Sequence, residues 1–121
     1  MSRTILLVED DHEVRTAMVD FLGAEGFRVA EAANGLEALR LLRGGLRPAV
    51  ILLDLTMPVM DGFEFLAERA RDPQLATLPV VVTSAANRRG DDIAGYDFLP
   101  KPAPLETFLA VIERNCRPGD I

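Results

Sequence analysis

A chain of 121 residues, 49% of them hydrophobic and 26% charged, has the length and composition of one globular domain able to bury about two-thirds of its unfolded surface, which excludes disordered and collagen-like polymers. Its 13 basic groups against 19 acidic ones leave a net charge of -6, which argues against a domain that grips nucleic acid by neutralising phosphates. No run of about 18 apolar residues is available to cross a bilayer, Cys116 alone cannot close an intrachain disulfide, and no leader-like pattern opens the chain, so a reducing, cytoplasmic setting is expected.

In chain order, Ile5-Leu6-Leu7-Val8 comes first, an apolar run without polar alternation that suits a strand covered on both faces. Asp11 is placed to cap a helix whose stripe is Val14, Ala17, Met18, Phe21 and Leu22 and which closes near Gly23. Phe27 to Ala30 predicts a second strand, and Asn34 caps a second helix carrying Leu36, Leu39 and Leu42 and stopped by Gly44-Gly45. Val50 to Leu53 predicts the third strand, followed after Asp61 by a helix marked by Phe63, Leu66, Ala67 and Ala70. Val80 to Val82 is the fourth strand. The stretch Ala85 to Ala94, with Asn87, Gly90 and two charge pairs, predicts only a short or loose fourth helix. Tyr96 to Leu99 is a weaker fifth strand, and Leu105, Phe108, Leu109 and Ile112 mark the last helix.

Alternation of strand and helix with short connections selects an α/β fold, a doubly wound five-stranded parallel sheet with right-handed crossovers. Such (βα)5, flavodoxin-like sheets are commonly ordered 2-1-3-4-5 and hold ligands beyond the carboxyl ends of strands near the order reversal. No internal repeat or low-complexity tract interrupts the pattern, and residues 1–121 are expected to form a single domain, with 117–121 a tail or the start of a linker.

Strand 1 ends in Glu9-Asp10-Asp11 and strand 3 in Asp54-Leu55-Thr56-Met57-Pro58. With both ends on one edge of adjacent strands, Glu9, Asp10 and Asp54 would converge, and a hard divalent cation would relieve their repulsion. Mg2+ suits such a cluster because it takes oxygen ligands and keeps several waters, whereas one Cys and one His are too few for zinc. Acids before a helix are also ordinary N-terminal charges, so the weight rests on Asp54, directly after an apolar strand. Strand 4 leads into Thr83-Ser84 and strand 5 into Pro100-Lys101-Pro102. A hydroxyl and an ammonium on that edge are what the non-bridging oxygens of a phosphoryl group require. Lys101 is the only lysine among the 13 basic residues, and an ammonium is not interchangeable with a guanidinium fork at a tight site. His12 is read as a surface residue near the acids, Cys116 as an ordinary helix residue, and Arg88-Arg89 with Asp91-Asp92 as a solvated loop. No GxxxxGK[ST] or GxGxxG segment is present.

Glu9-Asp10, Asp54 with Met57-Pro58 and Asp61-Gly62, Thr83, and Lys101-Pro102, in this order across the chain, closely resemble the receiver domain of two-component response regulators, the CheY-like fold. The resemblance implies that Asp54 is a phosphoacceptor taking a phosphoryl group from a sensor histidine kinase or a histidine phosphotransfer protein. It implies Mg2+ held by Asp10, Asp54, Glu9 through water, and the backbone carbonyl of Thr56. Thr83 and Lys101 would then contact the phosphoryl oxygens, and Phe98 would be the switching aromatic, set against its plain alternative as a core residue. A signalling domain is implied, with self-phosphorylation and self-dephosphorylation its only chemistry, a downstream protein or fused effector as its target, no direct nucleic-acid or membrane binding, and homodimerisation on phosphorylation left open.

Two departures stand out. The interval from Thr83 to Lys101 is shorter than is typical of the family by about one helical turn, which falls on the expected fourth helix and puts the usual output surface in question. Thr56 occupies a position that varies in the family and influences acyl-phosphate hydrolysis. Other functions fit less well. A haloacid-dehalogenase-type phosphatase needs a second Asp where Thr56 stands, and an FMN module would not place acids after strand 1. A pseudo-receiver scaffold would keep the fold without the chemistry. Both a stand-alone receiver and one excised from a larger regulator or hybrid kinase are compatible with the sequence.

Overall fold

A computed structural model describes residues 3–55, 57–84, 96–100 and 104–116. The expected fourth helix, together with Thr56, Lys101 and the 117–121 tail, lies outside them. The described chain runs β1 (Thr4–Val8), α1 (His12–Ala24), β2 (Arg28–Ala32), α2 (Gly35–Arg43), β3 (Val50–Asp54), α3 (Gly62–Arg71), β4 (Val80–Ser84), β5 (Asp97–Pro100) and α4 (Leu105–Asn115). All four strand pairings are parallel, and the order is β2-β1-β3-β4-β5, as expected.

Side chains along a strand alternate between faces, so each apolar run supplies two cores. Leu6, Val8, Ile51, Leu53, Val80 and Val82 face α2 and α3, where Ala38, Leu39, Leu42 and Phe65 meet them. Ile5, Leu7, Val50, Leu52, Val81 and Leu99 face α1 and α4 and pack with Leu22, Phe108, Val111 and Ile112. Full burial of a side chain such as Phe65 or Leu22 contributes about 1.5–3 kcal/mol, so these two layers supply the main drive for the fold.

Local signals start the helices. The Asp11 carboxylate accepts from the Val14 amide at 3.1 Å, and Asn34 Oδ1 accepts from the Glu37 amide at 2.9 Å. At α3, Asp61 and Glu64 form a reciprocal capping box, each side chain bonded to the other's backbone amide. α4 instead starts behind Pro104, whose fixed φ suits a helix entry.

Three expectations need correction. β3 and β4 run further than their apolar cores, so Asp54 and Thr83 lie within strands rather than after them. The buried face of α3 is Gly62, Phe65 and Arg69; Phe63 and Leu66 are only partly buried, and Ala67 and Ala70 are exposed. The cause is steric at one end, because a Cβ on Gly62 would lie 2.7 Å from Leu55 Cα, and polar at the other. Arg69 is buried because its guanidinium finds partners: Nη2 donates to the carbonyls of Leu78 at 2.6 Å and Ala76 at 2.8 Å, and Nη1 donates to the Tyr96 hydroxyl at 3.1 Å. On α1 only Leu22 is fully buried; Met18 and Phe21 are partly covered, while Val14 and Ala17 stay open near the carboxyl edge of the sheet.

At the far side, Asp97 Oδ2 accepts from Asn115 Nδ2 at 2.7 Å and from Arg114 Nη2 at 2.9 Å, tying the start of β5 to the end of α4. These bonds, Asn115 first and Arg114 second, hold the Asp97 carboxyl below the usual carboxylate range.

Candidate functional site

The carboxyl ends of β1, β3 and β4 meet at one rim. Val8 is the register partner of Leu53, and Asp54 is the register partner of Thr83. Two-residue alternation puts Glu9, Asp54 and Thr83 on the same face as Leu7, Leu52 and Val81, the face covered by α1 and α4. All three side chains are nearly enclosed, with Glu9 at 4%, Asp54 at 5% and Thr83 at 6% exposure. Asp10, one residue beyond Glu9, is exposed. A cavity of about 30 Å³ lies beside Glu9 and Thr83, walled by Val14, Met18, Leu52 and Phe108, with room for a water or two.

Carboxylate oxygens of Glu9, Asp10 and Asp54 all lie within 4.8 Å of one another, which brings together the three acids singled out in the sequence. Backbone bonds fix two of them. The Glu9 amide donates to the Ala32 carbonyl at 3.0 Å, and the Leu55 amide donates to the Thr83 carbonyl at 3.0 Å, stitching β3 to β4 beside Asp54. The Glu9 carboxylate accepts from the Asp11 amide at 3.1 Å. Three hard oxygen donors grouped this closely at the rim suit the chemistry of a Mg2+ ion, which takes oxygen ligands, is usually held by one or two carboxylates and keeps several waters.

The β3–α3 connection is shaped around this point. The Gly62 amide donates to the Leu55 carbonyl at 3.0 Å, and a Cβ on Gly62 would meet the Asp54 carbonyl at 2.8 Å, so only glycine lets α3 start this close to the strand end. Val59, at φ 69°, is the centre of a tight turn in which the Met60 amide donates to the Pro58 carbonyl at 2.8 Å.

Phe98 is placed differently from Thr83. Its register partner is Val82, and it packs, partly buried, against the core on the α2–α3 face, one strand position before Leu99, the partner of Thr83. Lys101 and Thr56 lie outside the described residues, as does the interval whose length departs from the family pattern. His12 is exposed, as expected, with Nδ1 3.3 Å from Arg15 Nη2. Arg15 itself was not singled out in the sequence, although it donates to the Glu9 carbonyl at 2.8 Å. Its position one turn beyond the Asp11 cap was the available signal.

The fold, the strand order and this acidic rim define a doubly wound α/β module with a candidate metal site at the carboxyl edge of its sheet, and comparison with known proteins supplies the family. The response regulator receiver domain model matches residues 5–113, and the chain belongs to that family, the CheY-like receivers of two-component signalling. It is thus a signalling receiver rather than an enzyme that turns over a substrate. It is 37% identical over 115 residues to the response regulator Rre1 of Synechocystis sp., covering 90% of this chain and 49% of the relative. Among solved structures, the chemotaxis protein CheY4 of Vibrio cholerae superposes with a TM-score of 0.84 at 29% identity, covering 95% of this chain and 99% of that one. The receiver domain of the sensor histidine kinase PA1611 from Pseudomonas aeruginosa PAO1, solved with a magnesium ion coordinated in its active site cleft, gives 0.85 at 29% identity, covering 95% and 98%. The chain spans about half the length of the curated relatives it matches. No described helix is long and apolar enough to cross a membrane.

Proposed function

We propose that the chain is a phosphorylation-activated receiver that accepts a phosphoryl group on Asp54 in a Mg2+-dependent reaction and thereby switches its protein contacts. The observation that carries this reading is the meeting of Glu9, Asp10 and Asp54 oxygens within 4.8 Å at the rim, with Thr83 in register beside Asp54. Glu9, Asp10, Asp54 and the Thr56 carbonyl would hold the ion. When bound, Mg2+ offsets negative charge on the transferred group and on the acids themselves.

In the transfer, a carboxylate oxygen of Asp54 attacks phosphorus of a phosphohistidine; the new P–O bond forms as the P–N bond breaks, and the imidazole leaves with its electron pair and takes up a proton. Asp54 suits the role because its strand position aims it at the edge while burial keeps bulk water from competing. Thr83, one strand over, offers a hydroxyl to one phosphoryl oxygen, and Lys101 is proposed to pair with another. Those contacts exist only in the modified state, which makes them a switch. Phe98 is the aromatic proposed to respond.

The donor is proposed to be a sensor histidine kinase or a histidine phosphotransfer protein, in keeping with receiver domains of histidine kinases among the similar structures. Residues 1–121 are read as one receiver, with 117–121 as tail or linker, acting in the cytoplasm on a downstream protein or a fused effector. The test is incubation with Mg2+ and acetyl phosphate, followed by intact-protein mass. One acid-labile phosphoryl group is expected on the wild type and none on Asp54→Asn. A folded wild type that stays unmodified would leave a binding scaffold as the better description.

A further inference from the structure

Arg15 lies in the first turns of α1, and its side chain is only 16% exposed although it is charged. Its fork spans three elements. Nη1 donates to the Glu9 carbonyl at 2.8 Å, where β1 ends, and Nε donates to the Glu31 carboxylate on β2 at 3.1 Å. Nη2 lies 3.3 Å from His12 Nδ1, at the start of the same helix. The Glu9 amide is bonded to the Ala32 carbonyl and its carboxylate to the Asp11 amide. Arg15 adds the third anchor by taking the carbonyl of the Glu9–Asp10 peptide. A peptide plane gripped at that oxygen cannot rotate freely, and the rotation of that plane sets where Asp10 points.

We infer that Arg15 is a positioning residue for divalent-cation binding at the rim: braced on Glu31, it holds the Glu9–Asp10 peptide so that both carboxylates face Asp54. This inference rests on the proposed function for the rim being a Mg2+ site. Charge and geometry predict opposite signs. A guanidinium near the rim repels a cation, so by charge alone its removal would tighten Mg2+ binding; as a brace, its removal weakens binding.

The experiment is titration of the full chain with MgCl2, followed by amide NMR shifts, for wild type, Arg15→Gln and Arg15→Lys. Arg15→Gln is expected to bind Mg2+ about tenfold more weakly, as is usual when a partner behind a metal ligand is removed, with β3 and β4 amides unshifted in the metal-free protein. Arg15→Lys keeps the charge but cannot span Glu9 and Glu31 together, and is expected to recover only part of the loss. In acetyl phosphate labelling, Arg15→Gln should raise the half-saturating Mg2+ concentration by the same factor and leave the rate at saturating Mg2+ unchanged, a split that general loss of folding does not produce. Arg15→Gln binding as tightly as wild type or tighter, or Arg15→Lys matching wild type, overturns the inference and leaves the phosphoacceptor reading standing. A wild type with no saturable Mg2+ response overturns both.

Discussion

Asp54 and Thr83 are register partners on adjacent parallel strands, and the amide that follows Asp54 is bonded to the Thr83 carbonyl. A change at the acid therefore reaches the hydroxyl across one inter-strand spacing, about 4.8 Å. Thr83→Val keeps the β-branched shape and removes the hydroxyl. The expected outcome is that acetyl phosphate still labels Asp54, while the phosphorylation-dependent amide shifts in β4 and β5 are lost. Retention of those shifts would show that the hydroxyl is not the reporter.

Metal binding should appear as stability. A ligand bound only by the native state at about tenfold its dissociation constant adds about 1.4 kcal/mol, a Tm rise of a few degrees for a domain of this size. Mg2+ should therefore raise the Tm of the wild type, and Asp10→Asn should abolish the rise, as measured by circular dichroism melts with Mg2+ and with EDTA.

Two glycines lie where a methyl group has no room, against obstacles of different kinds. At Gly62 the obstacles include the Leu55 Cα and the Asp54 carbonyl, at 2.7 and 2.8 Å; at Gly35 the closest atom is Met60 Cγ, at 2.8 Å, on a flexible side chain, with the Met60 carbonyl oxygen behind it at 3.0 Å. Gly62→Ala is expected to cost about 3 kcal/mol and Gly35→Ala about 1 kcal/mol, in urea unfolding. Equal costs would mean that the β3–α3 backbone yields as readily as a methionine.

Val59 gives the opposite sign. A β-branched residue at φ 69° with 74% of its surface exposed carries backbone strain and little packing in return. Val59→Gly should stabilise the protein by about 1 kcal/mol, less whatever the freer unfolded chain takes back. A loss of stability on urea unfolding would show that the side chain is held by contacts worth more than the strain.

Asp97 sets a pH dependence. Its carboxyl is held below its unfolded value by Asn115 and Arg114, so the folded state favours the ionised form. That contribution is fully present above the unfolded carboxylate range and is lost as pH falls through the lowered folded value. Wild type should exceed Asp97→Asn in stability at neutral pH, with the gap closing as the solution is acidified. The gap should be modest, since the pair is 64% and 39% exposed and solvent screens it.

Much of the fold was legible because it is written locally. Ile5 to Val8, Val50 to Leu53 and Val80 to Val82 are unbroken apolar runs, Asp11 and Asn34 cap the helices they were expected to cap, and the third helix starts directly after Asp61 as expected. The acids at the strand ends could be brought together on paper once strands 1 and 3 were taken as neighbours. The pairing of Asp54 with Thr83 could not, because inter-strand register depends on residues about 29 positions apart meeting in space. The inward face of α3 was misjudged for a related reason: apolar periodicity overlooks a glycine needed for close approach and an arginine whose partners are carbonyls. Arg15 was missed because its partners, Glu9 and Glu31, lie on two different strands.

Arg69 has a further consequence. Two of its N–H groups share the Leu78 carbonyl, another takes that of Ala76, and a fourth holds the Tyr96 hydroxyl. Any shorter or apolar replacement would take the guanidinium donors away from the Leu78 and Ala76 carbonyls and the Tyr96 hydroxyl together. Among homologues, position 69 and the path of residues 72–79 should thus be inherited as a pair, with the arginine exchanged only where that loop takes a new course.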